Sequence, residues 1–548
     1  MEISLLQAFA LGIIAFIAGL DMFNGLTHMH RPVVLGPLVG LVLGDLHTGI
    51  LTGGTLELVW MGLAPLAGAQ PPNVIIGTIV GTAFAITTGV KPDVAVGVAV
   101  PFAVAVQMGI TFLFSVMSGV MSRCDRMAEN ADTRGIERVN YLALLALGIF
   151  YFLCAFLPIY FGAEHAKTII DVLPQRLIDG LGVAGGIMPA IGFAVLLKIM
   201  MKNVYIPYFI LGFVAAAWLK LPVLAIAAAA LAMALIDLLR KSPEPTQPAA
   251  QKEELKMASN QTTLPNVSEN EETLLTGVNE NVYEDQSIGA ELTKKDINRV
   301  AWRSMLLQAS FNYERMQASG WLYGLLPALK KIHTNKRDLA RAMKGHMGFF
   351  NTHPFLVTFV IGIILAMERS KQDVNSIQST KIAVGAPLGG IGDAMFWLTL
   401  LPICGGIGAS LALQGSILGA VVFIVLFNVV HLGLRFGLAH YAYRMGVAAI
   451  PLIKANTKKV GHAASIVGMT VIGALVATYV RLSTTLEITA GDAVVKLQAD
   501  VIDKLMPAFL PLVYTLTMFW LVRRGWSPLR LIAVTVVLGI VGKFCHFL

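Results

Sequence analysis

Gly53-Gly54-Thr55-Leu56-Glu57-Leu58-Val59-Trp60-Met61-Gly62-Leu63-Ala64-Pro65-Leu66-Ala67-Gly68-Ala69-Gln70-Pro71-Pro72-Asn73 sets one carboxylate, an amide-bearing turn and a series of glycines and prolines inside surroundings apolar enough for lipid. An ionisable group is expensive in hydrocarbon and is therefore usually functional, which makes Glu57 the focal residue. Irregular backbone is tolerated at membrane depth only where protein or a water-filled cavity surrounds it. The Gly/Pro breaks therefore predict a re-entrant hairpin or a discontinuous helix, elements that build binding sites. In such a site Glu57 accepts from hydroxyl groups, Gln70 and Asn73 donate and accept, and Trp60 offers a flat apolar face. The competing reading is a packed helix and loop whose buried carboxylate is held by a neighbouring basic residue.

Outward from this stretch, the composition sets the class. Of 548 residues, 56% are hydrophobic and 14% charged, far more apolar than an average soluble domain, and the mean hydropathy is +0.71. This is a polytopic membrane protein. Its formal charge of +8 does not point to nucleic acid, because Arg31, Arg123, Arg126, Lys202, Arg240, Lys241, Arg523 and Arg524 sit in short loops and at segment ends, where they act as topology signals. Cys124, Cys154, Cys404 and Cys545 have no C-x-x-C spacing, which argues against a disulfide framework or a thiolate metal site. Asp21, Asn24, His28 and His30 follow the first apolar run where a signal peptide would carry small residues, so that run is expected to stay attached.

The apolar runs fall into two blocks, residues 1–241 and 347–548, at about 20 residues per spanning helix. In the first, Asp21 and Asn24 lie three apart on one helical face, as ligand groups or as a solvated helix end. Residues 242–292 are rich in Pro, Gln, Asn, Ser, Thr and Glu and predict a disordered linker. Within it Met257-Ala258-Ser259 reads like the start of a second polypeptide, so the chain reads as two frames joined at 256/257, natively or by engineering. In residues 293–346, Thr293 with Asp296 gives a capping-box-like start. Val300, Met305, Leu306, Phe311 and Met316 alternate with polar residues in an amphipathic helical pattern, expected at the cytoplasmic surface. In the second block, residues 382–397 repeat the Gly/Pro-broken character around Asp393, predicting another hairpin at 385–397, and 483–502 read as an extramembrane excursion.

These residues resemble a known family, the sugar-translocating C and D subunits of the mannose family of bacterial phosphotransferase-system permeases. The C-subunit likeness covers residues 1–240 and rests on His30-Arg31-Pro32, Leu43-Gly44-Asp45, Thr48-Gly49-Ile50 and Gly53-Gly54-Thr55-Leu56-Glu57. The D-subunit likeness covers 292–548 and rests on residues 308–317 (QASFNYERMQ), 349–354 (FFNTHP) and 387–397 (PLGGIGDAMFW). The turn at 67–73 (AGAQPPN) is similar to the N-acetylgalactosamine branch. The resemblance implies a non-catalytic translocation component in the bacterial cytoplasmic membrane, assembled as a homotrimer and importing N-acetylgalactosamine or a related hexosamine. Phosphorylated cytoplasmic B and A proteins would supply the phosphohistidine. No stretch here is similar to those soluble domains, and the eleven histidines are scattered without a Gly-rich loop, so they read as loop, interface or packing residues.

The fold expected is therefore an all-α polytopic membrane protein: two membrane blocks with re-entrant hairpins and broken helices, plus a cytoplasmic amphipathic helical segment. The substrate-binding candidates are Glu57, Gln70 and Asn73, then Asp21 and Asn24 for the opposite wall, then Asn351 and Asp393 from the second block. No cofactor is expected, and no H-E-x-x-H or carboxylate-rich metal site is present in the sequence. An ion-coupled secondary transporter with Glu57 and Asp393 as ion or proton sites is a rival of a different class. A scaffold or receptor is a third, for which buried acids have no purpose.

Overall fold

The computed structural model describes residues 3–62, 71–172, 174–239, 281–490 and 493–548. Gln70, the apex of the first expected hairpin and the linker residues 242–280 lie outside this set. Helix α1 (Leu5–Asn24) starts from a reciprocal capping box of Ser4 and Gln7 and ends on Gly25 in the left-handed conformation, φ 59°. Helices α2 (Pro32–Leu43) and α3 (Leu46–Trp60) have 12 and 15 residues. At 1.5 Å per residue they reach about 18 and 22 Å, too short for a hydrocarbon core of about 30 Å. They pair antiparallel about Gly44, φ 84°, with Asp45 capping α3 through Thr48 N at 3.0 Å. Their contact runs along Gly36-x-x-x-Gly40 and Gly49-x-x-x-Gly53. A Cβ on Gly49 would stand 2.6 Å from the Gly36 carbonyl, and one on Gly53 2.6 Å from that of Pro32, so only glycine lets the backbones approach this closely.

Helix α4 (Val74–Thr88) follows, then α5 (Pro92–Ser118), α6 (Met121–Glu129), α7 (Thr133–Val172), α8 (Gln175–Ile187), α9 (Pro189–Met200), α10 (Ile206–Ala217) and α11 (Val223–Leu239). The amphipathic segment forms α12 (Lys294–Arg303), α13 (Ala318–Ile332) and α14 (Lys336–His346). The Thr293/Asp296 pair is a reciprocal capping box, and the Lys331 ammonium helps hold the Asp296 carboxyl down to about 2. This layer docks on the polar turn of the first block. Arg303 pairs with Glu137 at 2.8 Å, Arg315 with Asp125 at 2.5 Å, and Asn140 bonds both Ser319 and Ser310.

The rest of the second block comprises α15 (Val357–Arg369), α16 (Val374–Gly392), α17 (Leu401–Leu413), α18 (Leu418–Met445), α19 (Ala449–Tyr479), α20 (Phe509–Arg523) and α21 (Pro528–Phe544). One antiparallel pair of strands, β1 (Glu487–Ala490) with β2 (Ala493–Lys496), lies in the stretch read as an excursion and forms the one sheet among the described residues. Seven helices among the described residues are long and apolar enough to cross a membrane, and an eighth if the pair Leu497–Leu505 and Phe509–Arg523, bent by 75°, counts as one span.

Two expectations are corrected. The second hairpin, at 385–397, does not turn back: a π-helical segment, Asp393–Leu400, joins α16 to α17 in one helical run from Val374 to Leu413. Two of its glycines serve close packing, Gly385 facing the Phe350 ring and Gly392 the His353 ring. The linker boundary also moves, because residues 281–292 are held against the second block. Asp338 accepts from the backbone of Glu284 and Asp285, the Gly289 amide donates to Arg369 O, and Tyr283 donates to the buried Glu368 at 2.8 Å. Burial beside Glu368 pushes the Tyr283 phenol up, keeping it a donor at neutral pH.

The blocks interlock along helix pairs that include Gly54 of α3 against Ala409 and Ala412 of α17, Gly212 of α10 against Thr470 of α19, and Gly180 of α8 against Gly539 of α21. Cutting the chain between Lys256 and Met257 is therefore expected to leave two fragments that co-purify, because these contacts do not pass through the linker. Separation of the fragments on a tagged column would assign the linker a structural role.

Candidate functional site at the seam between the blocks

Between α1 and α2 the chain crosses a buried loop whose amides need acceptors where water is scarce. Asp21, 1% exposed, supplies them. Its Oδ1 accepts from the Thr27 amide at 2.5 Å, the Thr27 hydroxyl at 3.2 Å and the His28 amide at 3.1 Å. Its Oδ2 accepts from the His30 amide at 3.1 Å and His30 Nδ1 at 2.7 Å. Asp21 is thus the builder of this loop, with both oxygens engaged.

Glu57 is similarly engaged. Its Oε1 accepts from Arg31 Nε at 3.0 Å and Nη2 at 2.5 Å, and its Oε2 from the Val33 amide at 3.3 Å, with Glu57 fully buried and Arg31 5% exposed. This geometry is that of the competing reading, a buried carboxylate held by a neighbouring basic residue. Asn73 caps α4 through the Ile76 amide at 3.1 Å and donates to Tyr151 at 2.6 Å, beside Met22 of α1. Trp60 is fully buried and its Nε1 has no partner. Asn351 is exposed.

Several unengaged groups gather around this same Asp21 loop. His28 is fully buried in the left-handed region, φ 59°, a strained conformation for a side chain with a Cβ. Its ring stacks on Phe427 at 4.0 Å and near Trp397 at 5.6 Å, with Phe355 at 5.2 Å, and neither ring nitrogen has a partner. Asn24 Oδ1 is unpaired too, while its Nδ2 donates to Leu20 O. The second block brings His353, whose Nε2 is unpaired and 3.9 Å from Asp393 Oδ1, and His431, whose Nδ1 is unpaired. Asn428 donates to Thr27 O at 2.7 Å, tying α18 to the loop. Phe355 lies fully buried in the middle, with His28, His353, Phe396, Trp397, Phe427 and His431 around it.

Buried polar atoms are almost always paired, so several unpaired ones gathered around one set of rings make the seam the candidate site. Aromatic faces with a few polar groups suit a molecule with apolar faces and a hydroxylated edge. Of the candidates read from sequence, the structure brings Asp21, Asn24 and Asp393 to this seam, and sets Asn73 behind α1. His28, His353, His431 and Arg435 were not among them. Their signal was available: an arginine and a histidine four apart inside the long apolar run of α18 are costly in hydrocarbon.

These features define a multi-pass membrane protein with unpaired polar groups at an inter-block seam. Residues 5–236 match the family described as the sorbose-specific IIC component of the phosphotransferase system (PTS), and residues 291–548 the mannose/fructose/sorbose family IID component. The N-acetylgalactosamine permease IIC component 1 of Escherichia coli (strain K12) is 36% identical over 47% of this chain and 98% of its own length. The mannose-specific EIID component of the same strain is 34% identical over 47% of this chain and 95% of its own, and the fructose permease IID component of Bacillus subtilis (strain 168) 35% over 47% and 98%. The chain belongs to the mannose/fructose/sorbose family of PTS permeases, a IIC-type block followed by a IID-type block in one polypeptide, and is a multi-pass protein of the bacterial inner membrane.

Proposed function

We propose that this permease carries N-acetylgalactosamine or a related hexosamine, held at the seam, to a phosphorylated cytoplasmic B protein that is itself charged by an A protein. The observation that supports it is the set of unpaired polar atoms on Asn24, His28, His353 and His431 around stacked aromatic rings. The substrate class is supported by the likeness to the N-acetylgalactosamine IIC component and by the turn at 67–73. Phe355 fills the seam in this conformation, so the sugar gains access when the blocks shift against each other. Three copies of the C/D unit would form the working assembly. The amphipathic layer, with Lys294, Lys295, Arg299 and Arg303, faces the cytoplasm under the positive-inside tendency and receives the phosphate donor. Ion coupling through Glu57 is disfavoured by its engagement with Arg31.

The test is sugar accumulation in membrane vesicles with and without phosphorylated B protein, together with binding titrations on purified protein. Accumulation only with phosphorylated B, and tighter binding of N-acetylgalactosamine than of mannose, is expected. Each unmatched buried group costs roughly 1–3 kcal/mol, about 5- to 150-fold in affinity. Accumulation driven by an ion gradient without B would overturn the mechanism, and a preference for mannose the substrate.

A further inference from the structure

Arg435 on α18 is fully buried, and its partners are all neutral: Nε donates to His431 Nε2 at 3.0 Å, Nη1 to Ser304 Oγ at 2.7 Å and Nη2 to Pro354 O at 2.8 Å. Buried charges are normally paired with opposite ones, and a guanidinium has five N–H donors, of which these bonds use three. The tautomers of two neighbours follow from their contacts. His431 Nε2 accepts from Arg435, so a neutral His431 carries its proton on Nδ1, the atom left without a partner. His353 Nδ1 accepts from the Phe355 amide at 3.3 Å, so its proton is on Nε2, also without a partner. The Phe355 ring joins the two, 4.4 Å from His431 and 5.1 Å from His353 between centroids. In these three side chains every unengaged polar hydrogen is a donor and none of the nitrogens is a free acceptor. Among the described residues the one carboxylate within ion-pair range of the group is Asp393, 3.9 Å from His353 Nε2 and beyond hydrogen-bond reach.

Phe427, His431 and Arg435 are spaced four apart on one face of α18. They run for about 12 Å from the His28 cradle toward Ser304 in the amphipathic layer. We infer that Arg435, His431 and His353 form an anion-binding pole at the layer side of the seam that takes a phosphate monoester, the chemical class of a freshly phosphorylated sugar. The inference rests on the group-translocation reading for its ligand and on the donor geometry for its place. A compact dianion would meet the charge and the free donors that no side chain satisfies, and charge-assisted bonds of this kind are the strong ones.

The test is calorimetric titration of the purified full-length protein with a hexosamine 6-phosphate, with inorganic phosphate and with the unphosphorylated hexosamine. In Arg435→Gln the affinity for the sugar phosphate should fall roughly 10-fold or more while that for the neutral sugar stays within about twofold, and Arg435→Lys should lie between. If Arg435→Gln fails to fold, His353→Phe, which keeps a ring and removes the Nε2 donor, should lower the affinity for the sugar phosphate by a larger factor than that for the neutral sugar, since His353 also lines the sugar site. Equal sugar-phosphate affinities in wild type and these variants would overturn the anion pole. Phosphate binding that depends on Arg435 without any sugar binding would instead overturn the translocation reading and leave the pole standing.

Discussion

Replacing Arg31 with methionine is expected to destabilise the first block by about 3–5 kcal/mol, because it leaves the Glu57 carboxylate buried and uncompensated. The pair sits where α2 enters the short hairpin and meets α3, with Gly405 of the second block facing Glu57 Oε1, so the damage should reach the inter-block contact as well. Replacing both partners, Arg31→Met with Glu57→Leu, should recover most of the loss, since well-packed apolar substitutes for a buried ion pair are often neutral or better. Thermal unfolding in detergent, read on both variants, checks this. A single variant as stable as wild type would mean that Glu57 has another way of being satisfied. Glu57→Gln then separates the two readings of the opening stretch. If Glu57 is only the partner of Arg31, sugar affinity per folded molecule stays the same; if it also touches sugar in another conformation, affinity falls at equal folding.

The membrane class, the two blocks and the polar junction were legible because hydropathy is a local property of the chain. The capping box at Thr293 and Asp296 was legible for the same reason, its spacing fixing its geometry. Residues 385–397 misled because glycine looks alike whether it breaks a helix or admits a neighbour. Only the positions of the Phe350 and His353 rings show that Gly385 and Gly392 do the second. The docking of 281–292 was hidden because a few single bonds hold it, Tyr283 to Glu368 and two amides to Asp338, in a stretch of linker-like composition. The seam is the least local feature of all. It draws on residues near 24–30, 353–355, 393–397 and 427–435, and a histidine in a list of eleven carries no sign of which rings will enclose it.

His28→Phe is expected to leave the fold intact or stabilise it while weakening sugar binding roughly 5- to 150-fold. Phenylalanine preserves the stack against Phe427 and Trp397 and removes two buried nitrogens that have no partners, each a desolvation cost of roughly 1–3 kcal/mol to the native state. The left-handed backbone at residue 28, φ 59°, persists in the variant, so the part of its strain that any Cβ causes is common to both proteins. A residue that is both strained and unsatisfied lowers stability, and such a feature persists where function uses it. Melting temperature and N-acetylgalactosamine titration on the same preparations give the two readings. A variant that is no less stable yet binds sugar poorly assigns His28 to the sugar site. A variant that melts well below wild type with unchanged sugar affinity per folded molecule assigns the imidazole to packing and moves the site away from the loop that Asp21 builds.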